Sequence, residues 1–353
     1  MNWHPIINGL LVLGSLLATA CRDDQHSSPV EAEQVPDAVH SLDFDSLDTA
    51  LETDAYADID ALLVLKDGGL VYERYFNGYD ADKVHDFASV TKSITSLLVG
   101  IATDIGHIES IDEPIHRYYE STVHSEAFKE GKERLTLRHL LTMQHGLDCD
   151  DYGHLGMWRF RLWLKANDPV QAVLLFPMNK QPGSVTAYCT ASTELLRIPL
   201  ESSTGLPVET FANEVLFHPL GINEVEWEIN GDGSVALGHG INMRPRDVAT
   251  IGLMIENGGV WDGKRVVSAA WLADSFARHG TLLGIDYGYL WYAEEYNIGG
   301  ETVKSYLAMG HGGQFLILFP ELNAIIVIAA SDYEMKLDFY QLIAEKILPS
   351  LLE

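Results

Sequence analysis

Two hydrophobic, β-rich runs flank a polar turn in the stretch IDALLVLKDGGLVYERYFNG (residues 59–78). The turn contains Asp67-Gly68, a pair that readily takes the positive φ angles of a tight turn. The stretch therefore predicts a β-hairpin. The next stretch, FASVTKSITSLL (residues 87–98), changes to the spacing of a helix that begins near Ser89. The apolar side of this helix is formed by Val90, Ile94, Leu97, Leu98 and Ile101.

The pattern is mostly helical or loop-like from about residue 105 to 240, with LTLRHLLTMQHG (residues 135–146) as one example. β-rich runs return near the C-terminus, and the last segment, from Leu337, has helical spacing. The expected late strands are 288–294, 303–312, 313–320 and 324–331. Sequential strands joined by short turns pair antiparallel. We therefore predict an α/β (α+β) fold, in which an antiparallel sheet from about 55–80 and 285–331 is flanked by helices and interrupted by the helical region.

The composition is that of an ordinary globular protein with a strongly acidic charge balance. Hydrophobic residues make up 47% and charged residues 21% of the 353 residues, and the formal net charge is −28. This charge repels phosphate backbones, so nucleic acid is not an expected partner. It favours neutral or cationic small molecules as ligands.

The N-terminus carries an apolar run, residues 6–18, that is too short to cross a bilayer. Small residues follow it directly before Cys21, so residues 1–21 are predicted to be a lipoprotein-type signal peptide. Cys21 would be lipidated, and the protein would be a periplasmic lipoprotein of a bacterial cell envelope that touches the membrane only through this anchor. A buried or disordered N-terminal helix is the alternative, because no Lys or Arg precedes the run. Residues 22–45 predict a flexible tether, and 46–350 the folded domain.

Lipidation of Cys21 would leave Cys149 and Cys189 as an even pair. Such a pair can form a disulfide in an oxidising compartment, whereas two unpaired core thiols are the alternative.

The loop from His145 to His154 contains several metal-ligand residue types, which makes a metallohydrolase one possible interpretation. Their spacing matches neither His-Glu-x-x-His nor a paired Cys-x-x-Cys site. A solvated acidic loop is the simpler interpretation, and we expect no metal and no other cofactor.

Ser89 and Lys92 are three positions apart at the start of the predicted helix, so their side chains lie on one face. A serine hydroxyl is a weak nucleophile and needs a nearby base. Lysine can be that base only when its amine is neutral, and burial near the positive end of a helix favours the neutral form. The pair indicates a nucleophile and its base, although Ser-x-x-Lys also arises by chance with a lysine that extends to the surface.

Two later stretches contain groups that fit the same chemistry. In PGSVTAYCTASTELL (residues 182–196), Tyr188 follows a Pro-Gly turn and precedes a helix-like segment. A tyrosine close to a lysine can have a lowered pKa and act as a general base. In AMGHGGQFLILFP (residues 308–320), His311-Gly312-Gly313 lies at the edge of a strand pattern, where backbone N–H groups can stabilise an oxyanion. If each stretch is considered alone, Tyr188 could be an ordinary core tyrosine, and the stretch at His311 could be a β-bulge with a surface histidine.

In this order, the three stretches resemble the serine β-lactamase and penicillin-binding-protein superfamily. The nearer similarity is to its class C-like branch of esterases, D-aminopeptidases and 6-aminohexanoate-dimer hydrolases. The resemblance covers roughly residues 45–350 and includes LTLRHLLTMQHGL, MRPRDVATIGLMIENGGVWDGKRVV and YGYLWY. It implies a β-lactamase/transpeptidase-like fold and a serine hydrolase with an acyl-enzyme intermediate. It also implies that Ser89 is the acylated nucleophile, Lys92 a proton shuttle and Tyr188 the general base, with the backbone N–H groups of Ser89 and Gln314 as the oxyanion hole.

Two positions depart from the pattern of this superfamily. The second motif, usually Tyr-x-Asn, is Tyr188-Cys189-Thr190, so a hydroxyl replaces the amide that contacts a peptide-like substrate. The third motif, Lys-Thr-Gly in many relatives, here contains His311 and Gly313. A neutral imidazole anchors a carboxylate less well than an ammonium does, and penicillins and D-Ala-D-Ala peptides carry that carboxylate. We therefore predict a hydrolase of small esters or amides, with β-lactamase or D-Ala carboxypeptidase activity as the alternative.

Two further expectations depend on the resemblance. A bridge between Cys149 and Cys189 would hold the turn at Tyr188 against the loop of residues 145–154. The altered second and third motifs also leave open a non-catalytic cell-envelope binding protein on the same fold.

Overall fold

The computed structural model describes residues 42–352. The predicted signal peptide, its lipidation site Cys21 and most of the predicted tether lie outside the described residues. The first described helix begins at Asp45, at the end of the stretch predicted to be a tether. Within the described part of the chain, no helix has both the length and the apolar content that a bilayer span requires.

Most strands of the described chain belong to one antiparallel sheet. The strands are β1 (Ile59–Lys66), β2 (Gly69–Tyr75), β3 (His85–Asp86), β4 (Glu226–Trp227), β5 (Ile241–Met243), β6 (Val260–Trp261), β7 (Lys264–Arg265), β8 (Gly280–Leu282), β9 (Ile285–Tyr287), β10 (Tyr292–Ile298), β11 (Glu301–Gly310), β12 (Gln314–Phe319) and β13 (Ala324–Ala330). The large sheet has the order β2-β1-β13-β12-β11-β10-β9-β8, while β3, β5 and β4 form a small sheet and β6 pairs with β7.

The large sheet is assembled from both ends of the sequence. The N-terminal hairpin turns at Asp67 and Gly68, whose φ angles of 50° and 80° are those the Asp-Gly pair predicts. Strand β1 then pairs antiparallel with β2 on one side and with the last strand, β13, on the other. All residues of β12 and β13 are buried, which explains their continuous apolar runs. The predicted antiparallel sheet is confirmed.

One predicted strand is wrong in its first half. The run 288–294 was expected to be extended from Gly288, but β10 begins only at Tyr292. A tight turn precedes it, in which Leu290 has a φ of 61° and donates its N–H to the carbonyl of Leu141. This contact comes from a distant helix, so the local alternation of residues does not reveal it. The short strands β8 and β9 were also not predicted.

Helices cover the sheet and fill the middle of the chain. They are α1 (Asp45–Leu51), α2 (Val90–Asp104), α3 (His116–Tyr119), α4 (Leu137–Leu141), α5 (Gly156–Leu164), α6 (Pro169–Leu174), α7 (Arg197–Thr204), α8 (Val208–Ala212), α9 (Pro245–Glu256), α10 (Ala269–Phe276), α11 (Phe339–Leu342) and α12 (Leu348–Leu352). Helix α9 packs against β1, β12 and β13, while α2 packs against β11 and β12 on one side and against α7 on another. Helix α2 therefore lies where the sheet meets the helical region.

Candidate active site

Ser89 lies at the N-terminal cap of α2, directly after an unusual turn. Ala88 has a φ of 46°, which is rare for a residue other than glycine. The carboxylate of Asp86 accepts a hydrogen bond of 2.7 Å from the Ala88 N–H and stabilises this turn. The turn changes the chain direction immediately before Ser89, so its hydroxyl is placed at the start of the helix rather than along the preceding strand.

Lys92 is buried one turn later, with only 2% of its surface exposed. Its Nζ atom lies 2.6 Å from the carbonyl oxygen of Gly238, 3.1 Å from Oγ1 of Thr190 and 2.9 Å from Oγ of Ser89. A neutral amine has two N–H groups and one lone pair. Donation to Gly238 and Thr190 uses both N–H groups, so the lone pair is left for the hydroxyl of Ser89.

The electrostatic environment of Lys92 favours this neutral form. Burial lowers the pKa of Lys92 to about 7, although the negative charges of Asp151 and Glu194 oppose the shift. Near neutral pH, a substantial share of the protein therefore has an uncharged amine beside Ser89. The alternative of a lysine that extends into solvent is wrong.

Tyr188 is buried against the same two side chains. The Nζ atom of Lys92 is 4.8 Å from the centre of the Tyr188 ring, and the hydroxyls of Ser89 and Thr190 interact with the Tyr188 phenol. The expected lowering of the Tyr188 pKa is wrong: burial and the charge of Asp151 raise this pKa, and the interactions with the Ser89 and Thr190 hydroxyls only partly offset the rise. Tyr188 is therefore a neutral phenol at rest, and Lys92 is the stronger candidate for the resting base.

Thr190 connects this group to an acidic residue. Its N–H donates to Oδ2 of Asp151 at 2.8 Å, and its hydroxyl interacts with the same carboxylate. The N–H of Asp151 donates in turn to the carbonyl of Tyr188 at 2.7 Å. Asp151 is half-buried, and burial raises its pKa. The interpretation of the whole loop as solvated is therefore wrong at Asp151.

The third stretch forms the turn between β11 and β12. His311 is exposed, and its ring centre lies 5.8 Å from that of Tyr333. A side chain at Gly313 would collide with Phe339, and the buried side chain of Gln314 exchanges hydrogen bonds with the backbone of Ala330.

The end of β11 approaches the backbone just before Ser89. A Cβ atom at Gly310 would lie 2.5 Å from the carbonyl oxygen of Phe87, so this contact requires glycine. Among residues 42–352, the structure records no hydrogen bond or ring contact that joins the side chains of His311 or Gln314 to Ser89, Lys92 or Tyr188. The third stretch therefore approaches the segment before Ser89 through the backbone of β11.

Cys149 and Cys189 form a disulfide, with their Cα atoms 5.5 Å apart. The bridge joins the loop that carries Asp151 to the segment that carries Tyr188 and Thr190. The sulfur atoms also lie within 4.8 Å of a carboxylate oxygen of Asp151, an arrangement of ligand types that could suit a metal ion. Because the two sulfur atoms are bonded to each other and Asp151 is engaged by Thr190, this cluster does not favour a metal site.

Replacing both bridged cysteines with serine is expected to lower the free energy of unfolding by about 2–4 kcal/mol, because the bridge closes a long loop. It should also lower kcat, because the contact between Asp151 and Thr190 loses its support. Urea unfolding and initial rates measure the two effects. Reducing agent should lower the free energy of unfolding of the unmodified protein and leave that of the double variant unchanged. Equal stability of the two proteins would contradict a supporting role for the bridge.

Two residues near Lys92 were not identified from the sequence. Gly238 contributes its carbonyl oxygen, and Glu194 is a fully buried carboxylate behind it. Glu194 follows Tyr188 in the segment of residues 182–196 and is the only charged residue there, which was the available signal. No local signal identifies Gly238.

The chain belongs to the Beta-lactamase family, whose model matches residues 55–344. It is 26% identical to a 6-aminohexanoate-dimer hydrolase of Paenarthrobacter ureafaciens over 288 residues. This aligned region covers 76% of this chain and 71% of the relative. A provisionally assigned 6-aminohexanoate-dimer hydrolase from Bacillus anthracis has a similar structure, with a TM-score of 0.74, 22% identity, and coverage of 92% of this chain and 88% of the other. A D-stereospecific amidohydrolase from Streptomyces sp. has a TM-score of 0.66 at 14% identity, covering 87% of this chain and 99% of the other. The fold is β-lactamase/transpeptidase-like, and the relatives support a hydrolase.

Proposed function

We propose that this protein is a serine hydrolase that cleaves small esters or amides through an acyl intermediate on Ser89. The observation that carries the proposal is the position of Lys92, whose Nζ lies 2.9 Å from Oγ of Ser89 while Gly238 and Thr190 occupy its other contacts. A base this close can remove the serine proton as the hydroxyl attacks. The binding-protein alternative does not account for a buried lysine that faces a serine hydroxyl.

In the proposed first step, Oγ of Ser89 attacks the carbonyl carbon of the substrate, and its proton passes to Lys92. The carbonyl oxygen becomes an oxyanion, for which the N–H groups of Ser89 and Gln314 are the proposed donors. As the tetrahedral intermediate collapses, the bond to the leaving group breaks, and the neutral phenol of Tyr188 gives its proton to the leaving group and regains one from Lys92. Water then attacks the acyl carbonyl and its proton passes back through the same two groups to Oγ of Ser89, while the acyl bond to Oγ breaks and the acid product leaves.

The substrate class follows from the charges around the site. The net charge of −28 and the half-buried Asp151 disfavour an anionic substrate. Thr190 offers a hydroxyl in place of an amide, and exposed His311 has Tyr333 as its ring partner. We therefore propose uncharged or cationic esters and amides as substrates, rather than β-lactams or D-Ala peptides. The names of the relatives, which include amide hydrolases, support the same reaction class.

A substrate panel combined with covalent labelling tests the proposal. The purified protein is assayed with p-nitrophenyl esters, D-amino-acid amides and nitrocefin, and a fluorophosphonate probe reports modification of Ser89. We expect ester or amide turnover with labelling and slow or absent nitrocefin hydrolysis. Turnover that EDTA inhibits, without any label, would overturn the serine mechanism. Efficient nitrocefin turnover would overturn the substrate class alone.

The pH dependence of the reaction follows from Lys92. Because burial lowers its pKa to about 7, the amine gains a proton as the pH falls through this value and loses its lone pair. For a neutral ester, kcat/KM is therefore expected to fall below about pH 7 and to level off above it. Initial rates in a constant-ionic-strength buffer series measure the profile, with recovery of activity at pH 8 as the control for unfolding. A constant kcat/KM between about pH 5 and pH 8 would contradict Lys92 as the base.

A further inference from the structure

Glu194 is a carboxylate with no exposed surface, located behind Lys92. Its Oε1 atom accepts a hydrogen bond of 2.9 Å from the Leu237 N–H, and its Oε2 atom accepts one of 3.1 Å from Nδ2 of Asn230. The N–H of Gly238 also stabilises the carboxylate. Glu194 therefore anchors the backbone at residues 237 and 238.

This backbone segment is the one that holds Lys92. The carbonyl of Gly238 accepts the 2.6 Å hydrogen bond from Nζ, and the carbonyl of Leu237 accepts a 2.8 Å hydrogen bond from the hydroxyl of Thr95 on α2. Gly238 also packs so closely against Thr190 that any side chain there would collide with it. A shift of the segment would therefore change the direction in which the Lys92 lone pair points.

Glu194 also acts on Lys92 through its charge. It and Asp151 are the anions that favour the protonated form of Lys92, while Tyr188 and His239 also face the amine. Burial raises the pKa of Glu194 to about 7, and its other charged or titratable neighbours are Arg197 and Tyr119. The charge of Glu194 therefore changes in the same pH range as that of Lys92.

We propose that Glu194 is a positioning residue for the reaction, which holds the Gly238 carbonyl against Lys92 and adjusts the proton affinity of the amine. This inference rests on the proposed serine hydrolase. Glu194 does not touch the substrate, so it should influence kcat and the pH profile much more than KM. A carboxylate that only stabilised the fold would lower the amount of active protein without moving the pH profile.

The Glu194→Gln variant tests this inference, because it keeps the shape of the side chain and removes its charge. Glu194 is partly ionised in the pH range of the acid limb. Without its negative charge the ammonium form of Lys92 is less favourable, so the acid limb of kcat/KM should move to lower pH by up to about one unit. We expect kcat to fall about tenfold as the Gly238 carbonyl loses support, with KM within about twofold. The assay uses the full chain and a neutral p-nitrophenyl ester.

Glu256→Gln is the matched control, because Glu256 is a half-buried carboxylate at the end of α9 with Asp67 and Lys66 as its charged neighbours. It should leave the pH profile unchanged. If Glu194→Gln does not fold, Asn230→Ala provides the second test, since loss of this donor weakens the ionised form of Glu194 and should shift the acid limb in the same direction by less.

An unchanged acid limb in a folded, labelled Glu194→Gln protein would overturn the role of Glu194 and leave the serine hydrolase intact. If Glu194→Gln does not fold, an unchanged acid limb in folded Asn230→Ala would overturn it as well. Absence of turnover and labelling in the unmodified protein would overturn the proposed function itself, so the two failures are distinguishable.

Discussion

Replacing Ser89 with alanine is expected to abolish both turnover and covalent labelling. The variant removes the oxygen that forms the acyl bond, while Lys92 and Tyr188 stay in place. Loss of a serine nucleophile typically costs about 10⁶-fold in kcat, which places the remaining rate below ordinary detection. Steady-state kinetics on the best substrate and in-gel fluorescence of the fluorophosphonate probe measure the two losses. Substrate binding should persist, so calorimetry should still detect binding of the substrate to the Ser89→Ala variant.

Ser96 on the same helix provides a matched control. It is fully buried, and its hydroxyl has no hydrogen-bond partner within the described structure. Ser96→Ala removes an unsatisfied polar atom, so stability should be unchanged or slightly higher and activity should be retained. Residual turnover in Ser89→Ala above about one per cent of the unmodified rate would show that another group carries the reaction.

Replacing Lys92 with methionine is expected to lower kcat by about 10²–10⁴-fold, the usual contribution of a general base. Methionine keeps the length of the side chain and removes the amine that lies 2.9 Å from Oγ of Ser89. The labelling rate of the fluorophosphonate probe should fall in parallel, because the probe also needs an activated serine. Stopped-flow measurement of the labelling rate separates this effect from slower product release.

Lys92→Arg distinguishes a base from a fixed positive charge. Arginine places a permanent positive charge at this position, because it does not lose its proton in this pH range. If Lys92 acts as a base, the arginine variant should be as inactive as the methionine variant. Substantial activity in a folded arginine variant, verified by circular dichroism, would mean that the site needs a cation, and the proposed proton transfer would be wrong.

The parts of the fold that the sequence predicts well are those set by local patterns. The hairpin at Asp67-Gly68 and the buried strands β12 and β13 depend on turn chemistry and on uninterrupted apolar runs. The turn before β10 was missed because its geometry depends on a hydrogen bond from Leu290 to Leu141, which lies 149 residues earlier in the numbering of the chain. The local pattern of hydrophobic and polar residues cannot predict a contact between positions so far apart in the sequence.

The same distinction holds at the site. Ser89 and Lys92 are predictable because one helix sets their spacing, and Tyr188 and Thr190 are close neighbours in one short segment. Gly238 is missed because only the folded chain brings its carbonyl to Lys92.

Burial also decides the pKa of Tyr188, and burial is a property of the whole structure. From the sequence, a nearby Lys92 is expected to lower the pKa of Tyr188, whereas burial in the folded protein raises it. Asp151 could have been placed from the predicted disulfide, because it follows Cys149 by two positions and Thr190 follows Cys189 by one.

The proposed proton transfer from Ser89 requires an uncharged Lys92, and the charge state of this amine can be measured directly. In protein labelled with ¹³C at the lysine ε-carbons, one resonance that is missing from Lys92→Met reports on this amine. We predict that this resonance titrates with a midpoint near pH 7, in agreement with the lowered pKa. A resonance that keeps the shift of a charged ammonium up to about pH 9 would contradict it, because ordinary lysines lose their proton only at about pH 10.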